Sequence, residues 1–251
     1  MRTIGFSTGA LAKGEFRRGL DLSRKLGFRA VELSALRLQE LPVLMEALSH
    51  LDLAGFEYVS LHAPSQYEAQ DEAGIVRMLE KAAEMKIPVI LHPDAIHDAQ
   101  AWRDFGALLL IENMDRRKPV GRSAEELAHF FDLLPDAGFC FDIGHARQFD
   151  PTMTEAGLLL SHYKARLRQL HVSEVNSFSR HERLSWLSRF AFRRIAGRIP
   201  ENVPIIVESV VQPDEIRPEI NFILESLDAA PDADRPKAAE PKLEPVPAAG
   251  D

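Results

Sequence analysis

Short apolar runs alternate along the chain with stretches whose apolar residues recur at helical spacing. Runs such as 87–92 and 107–112 are almost continuously apolar, which is typical of strands buried on both faces of a parallel sheet. Between such runs, stretches such as 41–53 place leucines on one helix face, for example at Leu44 and Leu48. This alternation predicts repeated strand–helix units.

The predicted strands and helices define the fold class. We predict strands at 3–7, 30–34, 58–62, 87–92, 107–112, 139–142, 167–172 and 203–210. Helices are predicted at 15–26, 41–53, 71–86, 99–105, 153–165 and 184–198, with two more beginning after the N-cap Ser123 and near Pro213. Such units favour a closed (β/α)₈ TIM barrel over an open doubly wound sheet. Only a polar turn, Thr8-Gly9, follows the first strand, so a glycine-rich dinucleotide-binding turn is missing there.

The chain divides by composition into a barrel and a tail. All predicted elements fall in residues 1–228, and the whole chain of 251 residues matches the size of one α/β barrel. Residues 229–251 are dominated by alanine, proline and charged residues, which predicts a disordered tail.

The predicted strands end in side chains that bind metal ions. Six of them finish with His62, His92, Glu112, Asp142, His171 and Glu208. In a barrel these ends meet at one mouth, and strand side chains alternate between the interior and the helix layer. With these six pointing inward, the side chains beneath them are Ser60, Ile90, Leu110, Cys140, Gln169 and Ile206. Carboxylates and imidazoles crowded into a partly dry mouth need a compensating cation, so we predict a divalent metal centre.

The types of residue present limit which metal ions and which binding partners are expected. A donor set of oxygen and nitrogen without thiolate suits Zn²⁺, Mn²⁺, Co²⁺ or Fe²⁺, with one to three ions. The single cysteine, Cys140, lies inside an apolar run, so no disulfide framework is expected and a reducing cytoplasm is the default location. A formal net charge of −8 disfavours nucleic acid as a partner, and no apolar stretch reaches the roughly 18 residues of a membrane span.

Four motifs resemble those of the xylose isomerase-like TIM-barrel superfamily, which includes sugar isomerases and epimerases and the AP endonuclease family 2. The motifs are Ile111-Glu112-Asn113, Phe141-Asp142-Ile143-Gly144-His145-Ala146, Leu170-His171-Val172-Ser173-Glu174 and Ile206-Val207-Glu208-Ser209. The resemblance implies that Glu112, Asp142, His171 and Glu208 share one metal ion.

The endonuclease-type members of that superfamily carry further histidines. His62, His92, His145 and His181 match those positions, which implies ligands for a second or third ion. Ser179 stands where these relatives have an aspartate before the last histidine, which weakens the third position. The sequence therefore favours a centre with one or two ions.

The leading hypothesis is isomerisation or epimerisation of a sugar or sugar phosphate through an enediolate. A metal ion would stabilise the enediolate, and Glu112 and Glu208 would exchange the proton as base and acid. His145 and Arg180 are the expected substrate-binding residues.

Two alternatives stay open. The first is metal-dependent hydrolysis of a phosphodiester, as in an abasic-site endonuclease, with His62 and His92 holding a second ion and Arg37, Tyr67 and Arg180 near the phosphate or base. The second is a catalytically silent barrel that binds a metal ion or ligand, because a fold does not prove an activity.

Overall fold

Eight parallel strands form a closed barrel in the computed structural model of the protein, which describes residues 2–228. With two strands outside the barrel, the described residues form, in chain order, β1 (Ile4–Ser7), β2 (Ala30–Ser34), β3 (Tyr58–His62), β4 (Val89–Leu91), β5 (Leu109–Glu112), β6 (Gly138–Asp142), β7 (Leu167–Val172), β8 (Glu174–Val175), β9 (His181–Glu182) and β10 (Ile205–Val207). Strands β8 and β9 form a separate antiparallel hairpin, and β10 closes the barrel between β7 and β1. The predicted TIM barrel is confirmed, whereas the predicted tail, 229–251, lies outside the described residues.

Helices surround the barrel. They are α1 (Thr8–Ala12), α2 (Phe16–Lys25), α3 (Leu41–Leu48), α4 (Ala69–Glu84), α5 (Ala99–Trp102), α6 (Ala124–Leu133), α7 (Ile143–Phe149), α8 (Thr154–Tyr163), α9 (Trp186–Ala196) and α10 (Ile216–Leu227), with 3₁₀ turns at Leu38–Glu40, Pro93–Ala95, Arg103–Leu108 and Lys164–Arg166. Ser123 caps α6 as predicted, because its Oγ accepts a hydrogen bond from the amide of Glu126 at 3.1 Å. Among the described helices, none is both long and apolar enough to cross a bilayer.

The main hydrophobic core lies between the strands and the helices. A second, smaller hydrophobic cluster fills part of the barrel interior. Phe139 and Phe141 of β6 are fully buried in the outer core, where each contributes roughly 1.5–3 kcal/mol to stability. Cys140 between them points the other way and packs with Ile90 and Leu110 inside the barrel. This is the alternation that the sequence predicts for the layer beneath the strand ends.

Two short helices were not predicted, and several predicted elements are shorter in the structure. Helix α3 ends at Leu48 instead of residue 53, and β5 begins at Leu109 instead of residue 107. The expected polar turn at Thr8-Gly9 is instead the start of α1, where the buried Thr8 Oγ1 accepts a hydrogen bond from the amide of Ser34 at 2.9 Å. Helix α7 begins directly after β6 and was not predicted. The strands predicted at 87–92 and 203–210 pair over fewer residues; each contains a proline, Pro88 or Pro204, which has no N–H for the sheet.

Candidate metal centre

The six strand-end residues and two further histidines meet at the carboxyl-terminal mouth of the barrel. Their ligand atoms form three groups, and within each group these atoms lie no more than 4.8 Å apart. The groups are the histidine-pair group (His62, His92, Glu112), the four-residue group (Glu112, Asp142, His171, Glu208) and the Asp142 group (Asp142, His145, His181). Barrel closure thus brings all predicted ligands to one place.

Glu112 lies at the centre of this arrangement, with 1% of its side chain exposed. Its Oε2 is 3.3 Å from Nε2 of His62 and 3.2 Å from Nε2 of His92. Its Oε1 is 3.1 Å from Nδ1 of His171 and 3.4 Å from Nδ1 of His145. Each carboxylate oxygen therefore faces a different pair of imidazoles, so Glu112 is shared between two groups of candidate ligands.

Asp142 is held rigidly at the end of β6. The side chain of Asn113 donates to the Asp142 carbonyl and accepts from the Asp142 amide, both at 2.8 Å. Asp142 Oδ1 caps α7 by accepting from the amide of His145 at 2.6 Å. Its Oδ2 is buried without a hydrogen-bond partner. An orphaned, buried carboxylate oxygen costs free energy, so this atom fits a cation.

The histidines are also oriented for binding. His62 Nδ1 donates to the carbonyl of Ala63 at 2.7 Å, which leaves Nε2 towards Glu112. His181 Nδ1 lies 2.8 Å from Ser173 Oγ and 3.6 Å from Glu208 Oε2. Although Ser179 replaces the aspartate of the endonuclease pattern, Asp142 lies close enough to complete a group with the last two histidines.

Burial and charge shift the ionisation of the ligands. Burial lowers the pKa of His62, but the hydrogen bond to Glu112 and the charge of Glu32 outweigh it and raise that pKa to about 9. Burial also opposes protonation of His145, yet the charge of Asp142 and the hydrogen bond to Glu112 raise its pKa to about 10. These imidazoles hold protons that stand in for cations between the buried carboxylates.

The pKa of the Glu208 carboxyl group is also shifted by its buried, charged surroundings. Burial, together with the negative charges of Glu112 and Asp142, raises the pKa of Glu208 to about 8 in spite of the nearby His171. Burial likewise raises the pKa of Asp142, whereas it lowers the pKa of His92 to about 4 and that of His181 to about 3, which leaves these two imidazoles neutral at pH 7. Neutral imidazoles bind metal ions, and a divalent cation relieves carboxylates that resist ionisation. The donor set therefore fits the predicted metal.

A cavity of about 640 Å³ opens above the ligands, a size suited to a small molecule. Histidine and glutamate ligands form its floor, and Lys13 and Arg180 lie on its wall. Arg180 is thus placed where the sequence suggested, whereas Arg37 and Tyr67 line a separate surface cavity. Four other histidines belong to none of the three ligand groups: His50, His97, His129 and His162.

The strand-end pattern missed two residues at the site. Lys13 follows α1 with a positive φ of 54° and lines the cavity, but the apolar pattern predicted no helix there. Glu32 lies inside β2 rather than at its end, where it contacts His171. The sequence feature that could have identified Glu32 is a charged residue within an apolar strand; in the structure this residue pairs with Ser60 of β3.

Residues 20–225 match the sequence model of the family described as xylose isomerase-like TIM barrel. The chain belongs to the xylose isomerase-like TIM-barrel family. This confirms the resemblance drawn from the four motifs. No curated protein sequence matches the chain significantly.

Several solved structures share this fold at low sequence identity. Endonuclease IV from Thermus thermophilus is 19% identical with a TM-score of 0.60, covering 90% of this chain and 100% of that one. A protein from Anabaena variabilis, provisionally classed as a sugar phosphate isomerase/epimerase, is 15% identical with a TM-score of 0.52 over 98% and 92%. A xylose isomerase-like TIM-barrel protein from Mycobacterium smegmatis in complex with magnesium is 12% identical with a TM-score of 0.55 over 90% and 98%. At such identities the likeness shows the fold alone.

Proposed function

We propose that the protein is a divalent-metal-dependent enzyme that hydrolyses phosphate esters, with phosphodiesters as the preferred class. The observation that carries the proposal is the sharing of ligands between groups: Glu112 belongs to two of them and Asp142 to two. Carboxylates shared in this way would hold neighbouring ions close together, and ions roughly 3.5–4 Å apart are typical of hydrolytic phosphoryl-transfer sites.

The proposed metal ligands follow from the three groups. The four-residue group would hold one ion, and His62 and His92 would hold a second together with Glu112. The Asp142 group would hold a third through His145 and His181. Bound Zn²⁺, Mn²⁺ or Co²⁺ would supply positive charge to the phosphoryl oxygens and lower the pKa of water.

Side chains around the cavity supply the remaining functions. Lys13 and Arg180 offer positive charge to the phosphate oxygens. Glu208 has 13% of its side chain exposed, so a substrate in the cavity reaches it more readily than Glu112. In hydrolysis the water oxygen bonds to phosphorus, the ester P–O bond breaks, and the leaving oxygen takes a proton from solvent. With cations bound beside it, the raised pKa of Glu208 would fall, and its ionised carboxylate would accept the proton of the attacking water.

Sugar isomerisation or epimerisation is the second candidate, and the four-residue group favours it. That reaction needs one metal ion and two carboxylates in contact with the substrate carbon, which Glu112 and Glu208 would provide. Glu112, however, is almost fully buried and has four imidazoles within 3.4 Å of its oxygens. Such a carboxylate is better placed to bridge ions than to exchange protons with a substrate, so isomerisation ranks second.

The two candidates predict different substrates for the same preparation. Protein purified without chelator and supplied with Zn²⁺, Mn²⁺ or Co²⁺ is assayed on bis(4-nitrophenyl) phosphate, on a duplex with an abasic site, and on a panel of sugars and sugar phosphates. We expect diester cleavage that chelation abolishes and added metal restores. Sugar turnover without diester cleavage would replace the proposal with the second candidate. Metal uptake without any turnover would support a binding role instead.

A further inference from the structure

Glu32 is a buried carboxylate directly beneath the four-residue group. Strand β2 carries it, and none of its side chain is exposed. Its Oε2 accepts hydrogen bonds from Ser60 Oγ at 3.0 Å and from Gln169 Nε2 at 2.7 Å. The same oxygen lies 3.0 Å from Nε2 of His171. Glu32 therefore contacts one of the proposed metal ligands from the side opposite the mouth.

The two ring nitrogens of His171 face different carboxylates. Nε2 lies 3.0 Å from Glu32 Oε2 and 2.6 Å from Gln169 Nε2, so the imidazole and the amide, which also donates to Glu32, converge on one carboxylate oxygen. Nδ1 faces the mouth, 3.1 Å from Glu112 Oε1 and 3.5 Å from Glu208 Oε2. We propose that Glu32 is a positioning residue that accepts the Nε2–H hydrogen bond of His171 and so presents Nδ1 to the metal ion of the four-residue group. This inference rests on the metal-binding part of the proposed function.

A purely space-filling role does not account for Glu32. On the other side of the barrel the same layer is filled by Ile90, Leu110 and Cys140. A buried carboxylate is a costly way to fill space, because its desolvation must be offset by hydrogen bonds and opposite charge. The chain provides such partners for Glu32 Oε2, and Tyr58 donates to Gln169 Oε1 at 2.7 Å, which orients the Gln169 amide towards Glu32. Oε1 of Glu32 is buried without a hydrogen-bond partner.

The hydrogen bond that Glu32 accepts has a defined effect on a metal ligand. A carboxylate on the far nitrogen of a ligating histidine fixes its tautomer and ring orientation and raises the basicity of the ligating nitrogen. Loss of such a partner typically lowers metal affinity by about 10- to 100-fold. The Glu32→Gln variant keeps the shape of the side chain and removes its charge, so it isolates this contribution.

The test compares Zn²⁺ affinity, measured by competition with a chromophoric chelator, between the wild type and Glu32→Gln. We expect a loss of about 10- to 100-fold in affinity for the tightest site. Glu72→Gln is the matched control: Glu72 is also buried, but its hydrogen bonds go to Trp102 Nε1 and two backbone amides and to none of the proposed metal ligands. Its affinity for Zn²⁺ should stay within about twofold of the wild type, whatever its effect on melting temperature.

A measurement on the wild type keeps the inference testable if Glu32→Gln does not fold. Proton–nitrogen NMR of the Zn²⁺-loaded wild type should show His171 protonated at Nε2 and coordinated through Nδ1. Coordination through Nε2, or unchanged affinity in folded Glu32→Gln, would overturn the role of Glu32 while leaving the metal centre intact. A wild type that takes up no Zn²⁺ would overturn the inference together with the proposed function.

Discussion

Oε1 of Glu112 lies 3.1 Å from Nδ1 of His171, although 59 positions separate the two residues in the sequence. Strand β6 lies between their strands in the barrel, so the contact spans two strand pairings across the mouth. The two side chains meet because β5, β6 and β7 are parallel neighbours whose carboxyl ends project to the same side of the barrel.

Replacing Glu112 tests its role as the shared ligand. In Glu112→Gln the bridging carboxylate is lost from two groups at once, so we expect metal affinity to fall by more than the roughly 10- to 100-fold typical of residues outside the ligand set. Metal content after dialysis measures the effect. Glu208→Gln is the comparison, because it removes a ligand from the four-residue group only. Equal metal content in wild type and Glu112→Gln would contradict the bridging role.

The paired variant His62→Ala, His92→Ala separates the two candidate reactions. It removes the histidine-pair group and leaves all members of the four-residue group in place. Hydrolysis that depends on two ions should fall by at least about 100-fold, since one of the charges that stabilise the reacting phosphate is lost. Isomerase activity, if it is the true reaction, would persist in the same variant. His129→Ala, on α6, serves as a control for general effects of histidine removal.

Metal binding should release protons. His62 and His145, with pKa values raised to about 9 and about 10, are protonated at pH 7 in the metal-free protein. A nitrogen must lose its proton to coordinate, so affinity should rise with pH up to these values and weaken as the pH falls. Calorimetry of Zn²⁺ binding in two buffers of different ionisation enthalpy counts the protons released. Binding heats that are independent of the buffer would show that these imidazoles do not coordinate.

The close packing of β1 against β2 can be tested by substituting Gly5. A Cβ at Gly5 would lie 1.6 Å from the carbonyl oxygen of Ala30 in the adjacent strand, so Gly5→Ala forces β1 and β2 apart. We expect a loss of stability of at least about 1–3 kcal/mol in denaturant unfolding. Gly74→Ala is the control, because its Cβ meets nothing within 4 Å and lies inside α4. There, alanine should be neutral or stabilising by about 0.5–1 kcal/mol. Equal stability of the two variants would contradict the strand packing.

The sequence predicted the barrel and most of the centre for one physical reason. Buried parallel strands appear in the sequence as apolar runs, and in a barrel their carboxyl ends lie on the same side. His62, Asp142 and Glu208 could therefore be predicted to lie together from the sequence alone. Residues close to a strand end were accessible to this reasoning.

What the sequence could not supply depends on tertiary geometry. Glu32 acts from inside a strand, and its importance appears only once His171 packs over it. Lys13 reaches the cavity because α1 replaces a turn. That Asp142 lies near His145 and His181 likewise follows from the α7 cap and the β8–β9 hairpin, which the local pattern did not predict.

The most direct test of the account is to locate metal ions by anomalous diffraction in crystals of protein loaded with Zn²⁺, with the stoichiometry checked by elemental analysis. We predict at least two ions that share Glu112, one coordinated by His62 and His92 and one by Asp142, His171 and Glu208, with ligand distances near about 2.0–2.2 Å. A single ion that leaves His62 and His92 uncoordinated would contradict the proposed hydrolytic centre. No ion at this mouth would contradict the metal centre itself.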